Sequence, residues 1–150
     1  MTKNYVILNL QIACSCKKKI PNKEIFQRWL SSFVPVFKLK SEITIRVVER
    51  KEIQELNFRY RGINKPTNVL SFPFEIKENS SFLGDIIICQ EIVYNESIKF
   101  NHPTLSYWAN IVIHSCLHLL NFSHDNDLQK TRMKNMEKKI IKILGYSYSF

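Results

Sequence analysis

Hydrophobic positions along this chain switch between two spacings. Period-two alternation marks short early segments, and the three-or-four spacing of helices alone persists after residue 90. "YVILNLQIA" (5–13) alternates and predicts a strand. After the Lys17–Lys19 run and Pro21, Ile25, Phe26, Trp29, Leu30 and Phe33 recur at helical spacing. "EITIRVVE" (42–49) is β-branched and alternating, which predicts a second strand. A short helix is expected over 50–60, with Ile53, Leu56 and Tyr60 turned inward and Gly62 as its stop. "NVLSFPFE" (68–75) predicts an extended segment that Pro73 confines to a sheet edge or strand end, and "LGDIIIC" (83–89) a short buried strand. Helices are expected over 90–100, 104–121 and 127–144. In the last, Met133, Met136, Ile140, Ile141 and Leu144 form an apolar stripe opposite Lys130, Lys134, Lys138 and Lys142.

Strands with crossover helices first and helices last imply an α/β or α+β fold, a single mixed sheet of about four strands packed with helices. No repeat, low-complexity tract or linker divides the chain, so residues 1–150 are expected to form one domain. Gly62, Gly84 and Gly145 fall where elements are expected to turn or end. The opening "MTKNYVILNLQIAC" has an apolar run broken by Asn9 and Gln11, unlike a signal peptide, and no apolar run is long enough to span a bilayer. A soluble, cytoplasmic protein with no membrane partner is therefore expected. Cys14, Cys16, Cys89 and Cys116 are too sparse for a secreted disulfide framework, so no disulfide partner is expected. Cys89 and Cys116 suit small core positions. Cys14 and Cys16 share one face of a strand end, a spacing that also permits a soft-metal site.

Charge changes this picture in one respect. The net charge of +9 lies wholly in residues 1–65, with 14 Lys and Arg against 5 Asp and Glu, whereas residues 66–150 carry 8 of each sign. A basic half fits a polyanionic partner, of which nucleic acid is the commonest, although solvated lysines give the same count.

The candidate chemistry concentrates in "HSCLHLLNFSH" (114–124), which holds three of the four histidines. Four residues apart on a helix, His114 and His118 project from one face and can reach a single ion. His124 is ten residues from His114, roughly 80° away on a continuous helix, so the helix must end and the chain return. Asn121 stands where that stop is needed, because Asn tolerates the left-handed conformation that ends helices. Three imidazoles would leave a coordination position open, the catalytic rather than the structural arrangement of zinc. The spacing is shared with zinc proteases whose general base is a Glu beside the first histidine. Here Ser115 takes that place, so peptide hydrolysis is disfavoured. His102, beside Pro103, is expected in a loop or at a helix start.

A second constellation, "LNFRYRGINKPTNVLSFPFE" (56–75), combines Arg59, Arg61 and Lys65 with Phe58, Tyr60, Phe72 and Phe74. Guanidinium groups bind phosphate bidentately and aromatic faces stack on unpaired bases, which suits single-stranded nucleic acid. Aromatics buried in the core beneath solvated arginines would produce the same pattern.

Taken in order, "YRGINKPTNVLSFPFE", "LGDIIIC" and "HSCLHLLNFSH" resemble the YbeY family of bacterial ribosomal-RNA maturation endoribonucleases. The resemblance runs from "LNLQIAC" to "MEKKIIKILGY". It implies a metal-dependent, single-strand-specific endoribonuclease acting on small-subunit (16S) rRNA, particularly at its 3′ end, and in ribosome quality control. The fold it implies is a mixed α/β sandwich with the metal site in a cleft at a C-terminal helix. The metal-binding histidines carry over onto His114, His118 and His124, and the functionally important arginine onto Arg61. One Zn2+ per chain is implied, though three imidazoles also suit Ni2+, copper or iron. The family pattern H-G-x-L-H-L-x-G-Y-D-H meets Ser115, Asn121, Phe122 and Ser123 here in place of Gly, Gly, Tyr and Asp. Asp125 is the candidate to replace the lost Asp as support for His124.

The expected catalytic residues are thus Arg61 and His114, with Arg59, Arg61 and Lys65 contacting single-stranded RNA of the ribosomal small subunit. Asp85 and Asp125 are candidate general bases, Asp85 being equally suited to capping a strand start. Two other classes fit parts of the pattern: a non-catalytic rRNA-binding assembly factor with a structural metal, and a metalloprotease-like hydrolase.

Overall fold

The computed structural model describes residues 5–15, 19–32, 40–74, 81–120 and 125–148. Within them the chain runs β1 (Tyr5–Ala13), α1 (Lys23–Ser31), β2 (Lys40–Val48), α2 (Arg50–Arg61), β3 (Val69–Pro73), β4 (Phe82–Cys89), α3 (Gln90–Lys99), α4 (Thr104–Leu119) and α5 (Asp127–Leu144). The strands form one sheet in the order β1-β2-β4-β3. β1, β2 and β4 are parallel, and β3 pairs antiparallel with β4. The fold is therefore α+β, with a single mixed four-stranded sheet and five helices. No helix of the described residues is long and apolar enough to cross a membrane.

Alternation along the strands sorts the two faces. Ile43, Ile45 and Val47 of β2 and Ile86 and Ile88 of β4 join the main core with Phe26, Trp29 and Leu30 of α1, Trp108 and Val112 of α4, and Met133 and Ile140 of α5. Val48, Ile87 and Cys89 turn to the other face, where Ile53 of α2 covers them. Helix α4 is buried on nearly every side, which explains why ten of its sixteen residues are apolar and spread around the helix instead of along one stripe. Its only basic residue in the last turn is His118.

Pro73 ends β3 at the sheet edge, where the missing N–H removes no ladder bond. Gly62 and Gly145 end α2 and α5 in the left-handed conformation, at φ 71° and 87°. Gly84 departs from expectation: it lies inside β4 rather than at its end, at φ 151°, beside a register shift in the pairing with β2. A Cβ there would stand 2.3 Å from the Phe72 carbonyl oxygen, so only glycine lets β3 approach this closely. Tyr60 is the second departure. It is 60% exposed, not inward, because the second face offers α2 only the small patch that Ile53 and Leu56 already cover.

Candidate functional site

Helix α4 places His114 and His118 one turn apart, on the face that looks along β3. A cleft of about 650 Å3 opens there, walled by His114, Ser115 and His118 on one side, β3 beneath, and Tyr60 and Arg61 of α2 opposite. Arg61 reaches this wall because it is the last helical residue of α2. Gly62 then turns back, its N–H donating to the Phe58 carbonyl at 3.0 Å. The rim is aromatic as well as cationic, with the rings of Tyr60 and Phe72 meeting edge to face at 5.1 Å between centroids.

The two imidazoles converge. Nε2 of His118 lies 3.0 Å from Nε2 of His114. The Nδ1 of His114 is 2.5 Å from Oε1 of Glu137, a buried carboxylate on α5, whose Oε2 accepts from the Tyr148 hydroxyl at 3.1 Å. Burial, then the charge of Glu137, push the Tyr148 hydroxyl up to about 12, so it stays a donor at neutral pH. A carboxylate accepting from Nδ1–H leaves the lone pair of His114 on Nε2, facing the cleft. These residues suit a divalent cation. Two nitrogens bound at 2.0–2.1 Å to one tetrahedral ion stand about 3.3 Å apart, close to the separation found here, and the carboxylate behind His114 is the usual support of a metal-binding imidazole. Among the described residues no group of three or more His, Cys, Asp or Glu side chains is arranged to hold a metal ion. His124, with Asn121, Phe122 and Ser123, lies outside the described residues.

Other sequence-selected residues fall elsewhere. Arg59 and Lys65 are exposed and do not line the cleft; the Lys65 carbonyl instead accepts from the buried Asn57 side chain at 2.9 Å. Two residues before Arg61, Arg59 points about 160° away around the helix. Asp85 is half-buried beside Thr44 on the α2 face of the sheet and is not part of the cleft wall. Burial raises its carboxyl above the ordinary range, partly offset by the Thr44 hydrogen bond. Asp125 is exposed. Ser115, at the place of the protease base, is fully buried, its hydroxyl without a partner among the described residues. His102 precedes α4 and stacks on Tyr107 at 6.0 Å. Cys89 and Cys116 are core residues whose thiols burial pushes up. Cys14 follows β1, and Cys16 lies outside the described residues.

Sequence reasoning passed over Glu137. Its signal was present, a charge inside the apolar stripe of α5, four residues after Met133 and three before Ile140. A carboxylate in that position is 3% exposed and needs a partner.

The family model described as endoribonuclease YbeY matches residues 11–145. The chain is also similar to the solution structure of TM1509 from Thermotoga maritima. Identity is 27%, covering 91% of this chain and 87% of that one, with a TM-score of 0.65.

Proposed function

From its match along residues 11–145 the chain belongs to the YbeY endoribonuclease family, and on that premise we propose that it cleaves single-stranded RNA at the cleft between α2, β3 and α4. The proposed substrate is small-subunit rRNA near its 3′ end, with roles in its maturation and in ribosome quality control. One observation carries the reading: Arg61 faces the same cleft as two imidazole nitrogens only 3.0 Å apart, although the sequence separates them widely.

In this reading His114, His118 and His124 hold one divalent cation, zinc by the chemistry of the donor set. The chemistry such a cation supplies when bound is Lewis-acid polarisation of a phosphoryl oxygen. The guanidinium of Arg61 binds the scissile phosphate through paired N–H donors and balances charge developing on its oxygens. Glu137 holds the His114 ring in one tautomer and orientation, and Tyr148 holds Glu137. Tyr60 and Phe72 offer faces and edges to unpaired bases at the rim, which a duplex could not present. Basic residues among the first 65 draw the strand in, and a cytoplasmic setting fits ribosomal substrates.

The test is metal content measured alongside cleavage of a single-stranded oligoribonucleotide and its duplex, for wild type, His118→Ala and Arg61→Ala. His118→Ala is expected to lose metal and activity together. Arg61→Ala is expected to keep metal but lose about 100-fold or more in kcat/KM. Full occupancy and full activity in His118→Ala overturns the site.

A further inference from the structure

The floor of the histidine cleft is a strand edge, and register decides which of its backbone groups face the open side. β3 is last in the sheet order, and among the described residues it pairs with β4 alone. In an antiparallel ladder alternate residues direct both N–H and C=O to the neighbouring strand, and the residues between direct both away. The two ends of β3 fix the phase. The Cys89 N–H donates to the Asn68 carbonyl at 2.9 Å, and the Phe74 N–H to the Leu83 carbonyl at 3.0 Å. Asn68, Leu70, Phe72 and Phe74 therefore turn their backbone groups to β4, and Val69, Ser71 and Pro73 turn theirs outward. All three outward residues line the cleft that His114, His118 and Arg61 also wall.

A row of open donors and acceptors on an edge strand is usually blunted or covered, because it can capture another chain. Here Pro73 removes one donor, and the rest of the edge stays open beside the histidines. What remains is the N–H groups of Val69 and Ser71 and the carbonyls of all three outward residues. Strand rise puts the two N–H groups about 7 Å apart, with the Val69 carbonyl between them. The backbone of RNA has the complementary pattern: phosphate oxygens accept, and the 2′-hydroxyl between successive phosphates can donate. DNA lacks that donor. An extended peptide could also align on such an edge. RNA is favoured, because the opposite wall carries Arg61, a phosphate-binding guanidinium, and the exposed ring of Tyr60. The missing donor at Pro73 also shortens the ladder that a peptide would need.

We propose that the open edge of β3 grips the ribose-phosphate backbone of the single-stranded substrate, with the Val69 and Ser71 N–H groups donating to phosphate oxygens and their carbonyls accepting from 2′-hydroxyls. The edge thereby distinguishes RNA from DNA by the sugar, whatever the bases. The proposal rests on the reading of this cleft as an RNA site, but it concerns binding and not cleavage.

Amide hydrogen exchange of the full chain tests it, with a chelator present to prevent cleavage and with three ligands of one sequence: single-stranded RNA, its 2′-O-methyl form and single-stranded DNA. RNA should slow exchange at Val69 and Ser71 about 10-fold, while Leu70 and Phe72, already in the ladder, stay unchanged. DNA and 2′-O-methyl RNA should bind about 5- to 10-fold more weakly than RNA. In steady-state cleavage by the metal-loaded chain, Ser71→Pro removes an N–H that the ladder does not use and should raise KM about 10-fold with kcat within threefold. Ser71→Ala keeps that N–H and should keep the wild-type KM. Should the wild-type chain cut no RNA, the catalytic reading fails and the exchange experiment alone decides the proposal. Val69 and Ser71 amides unprotected by RNA, equal affinity for RNA and DNA, or protection by an extended peptide but not by RNA overturns it.

Discussion

Replacing Glu137 probes the arrangement behind His114 most directly. Its carboxylate is buried and holds two donors, Nδ1 of His114 at 2.5 Å and the hydroxyl of Tyr148 at 3.1 Å. In Glu137→Ala both donors lose their acceptor and a cavity opens against Ile140 and Met133. Both donors are only half-buried and water can reach them, so the net destabilisation should be about 2 kcal/mol. For a domain of this size that lowers Tm by roughly 4–8 °C. Glu137→Gln keeps the shape and an oxygen for His114, losing mainly the charge-assisted part of the bond, about 1 kcal/mol. The effect on metal binding at the proposed site is a separate quantity. Loss of the group that orients a ligating imidazole weakens affinity about 10- to 100-fold. Thermal unfolding in the presence of a chelator gives the first quantity, and zinc competition against a chromophoric chelator gives the second. A Glu137→Ala protein with wild-type Tm and zinc affinity within threefold would refute the role assigned to this carboxylate.

Three further outcomes follow from the same geometry. Gly84→Ala should destabilise by about 3 kcal/mol or more, because the new methyl would meet the Phe72 carbonyl at 2.3 Å at a φ of 151°; chemical denaturation measures it, and an unchanged midpoint refutes the close approach of β3. Tyr60→Ala should raise KM for single-stranded RNA about 5- to 50-fold with little change in kcat, whereas Tyr60→Phe should retain wild-type KM, since stacking needs the ring and not the hydroxyl. The Tyr148 hydroxyl is raised from 10.0 to about 12 in the folded chain, so the folded state holds its proton where the unfolded state releases it. Its stabilising contribution is complete below pH 10 and is lost as pH rises towards about 12. Denaturation curves across that window should show a shallower loss in Tyr148→Phe than in wild type, and parallel curves would count against the contact with Glu137.

Much of this molecule is determined by neighbours within a few residues, which is why the sequence alone disclosed it. The alternation of 42–49, the stop at Gly62, the edge position of Pro73 and the shared face of His114 and His118 depend on backbone periods that every helix or strand obeys. What lay beyond reach were contacts between elements. Burial patterns say that α4 and α5 must pack, but not which rotation about their axes brings Glu137 to the Nδ1 of His114. The aromatic content of 56–75 suited core and surface equally, and only the small patch available to α2 turned Tyr60 outward. Gly84 read as a turn signal because its real constraint, the Phe72 backbone, comes from another strand. Helices α2 and α3 lie on opposite faces although they follow neighbouring parallel strands. That property belongs to the sheet order β1-β2-β4-β3, and no local stretch of sequence encodes it.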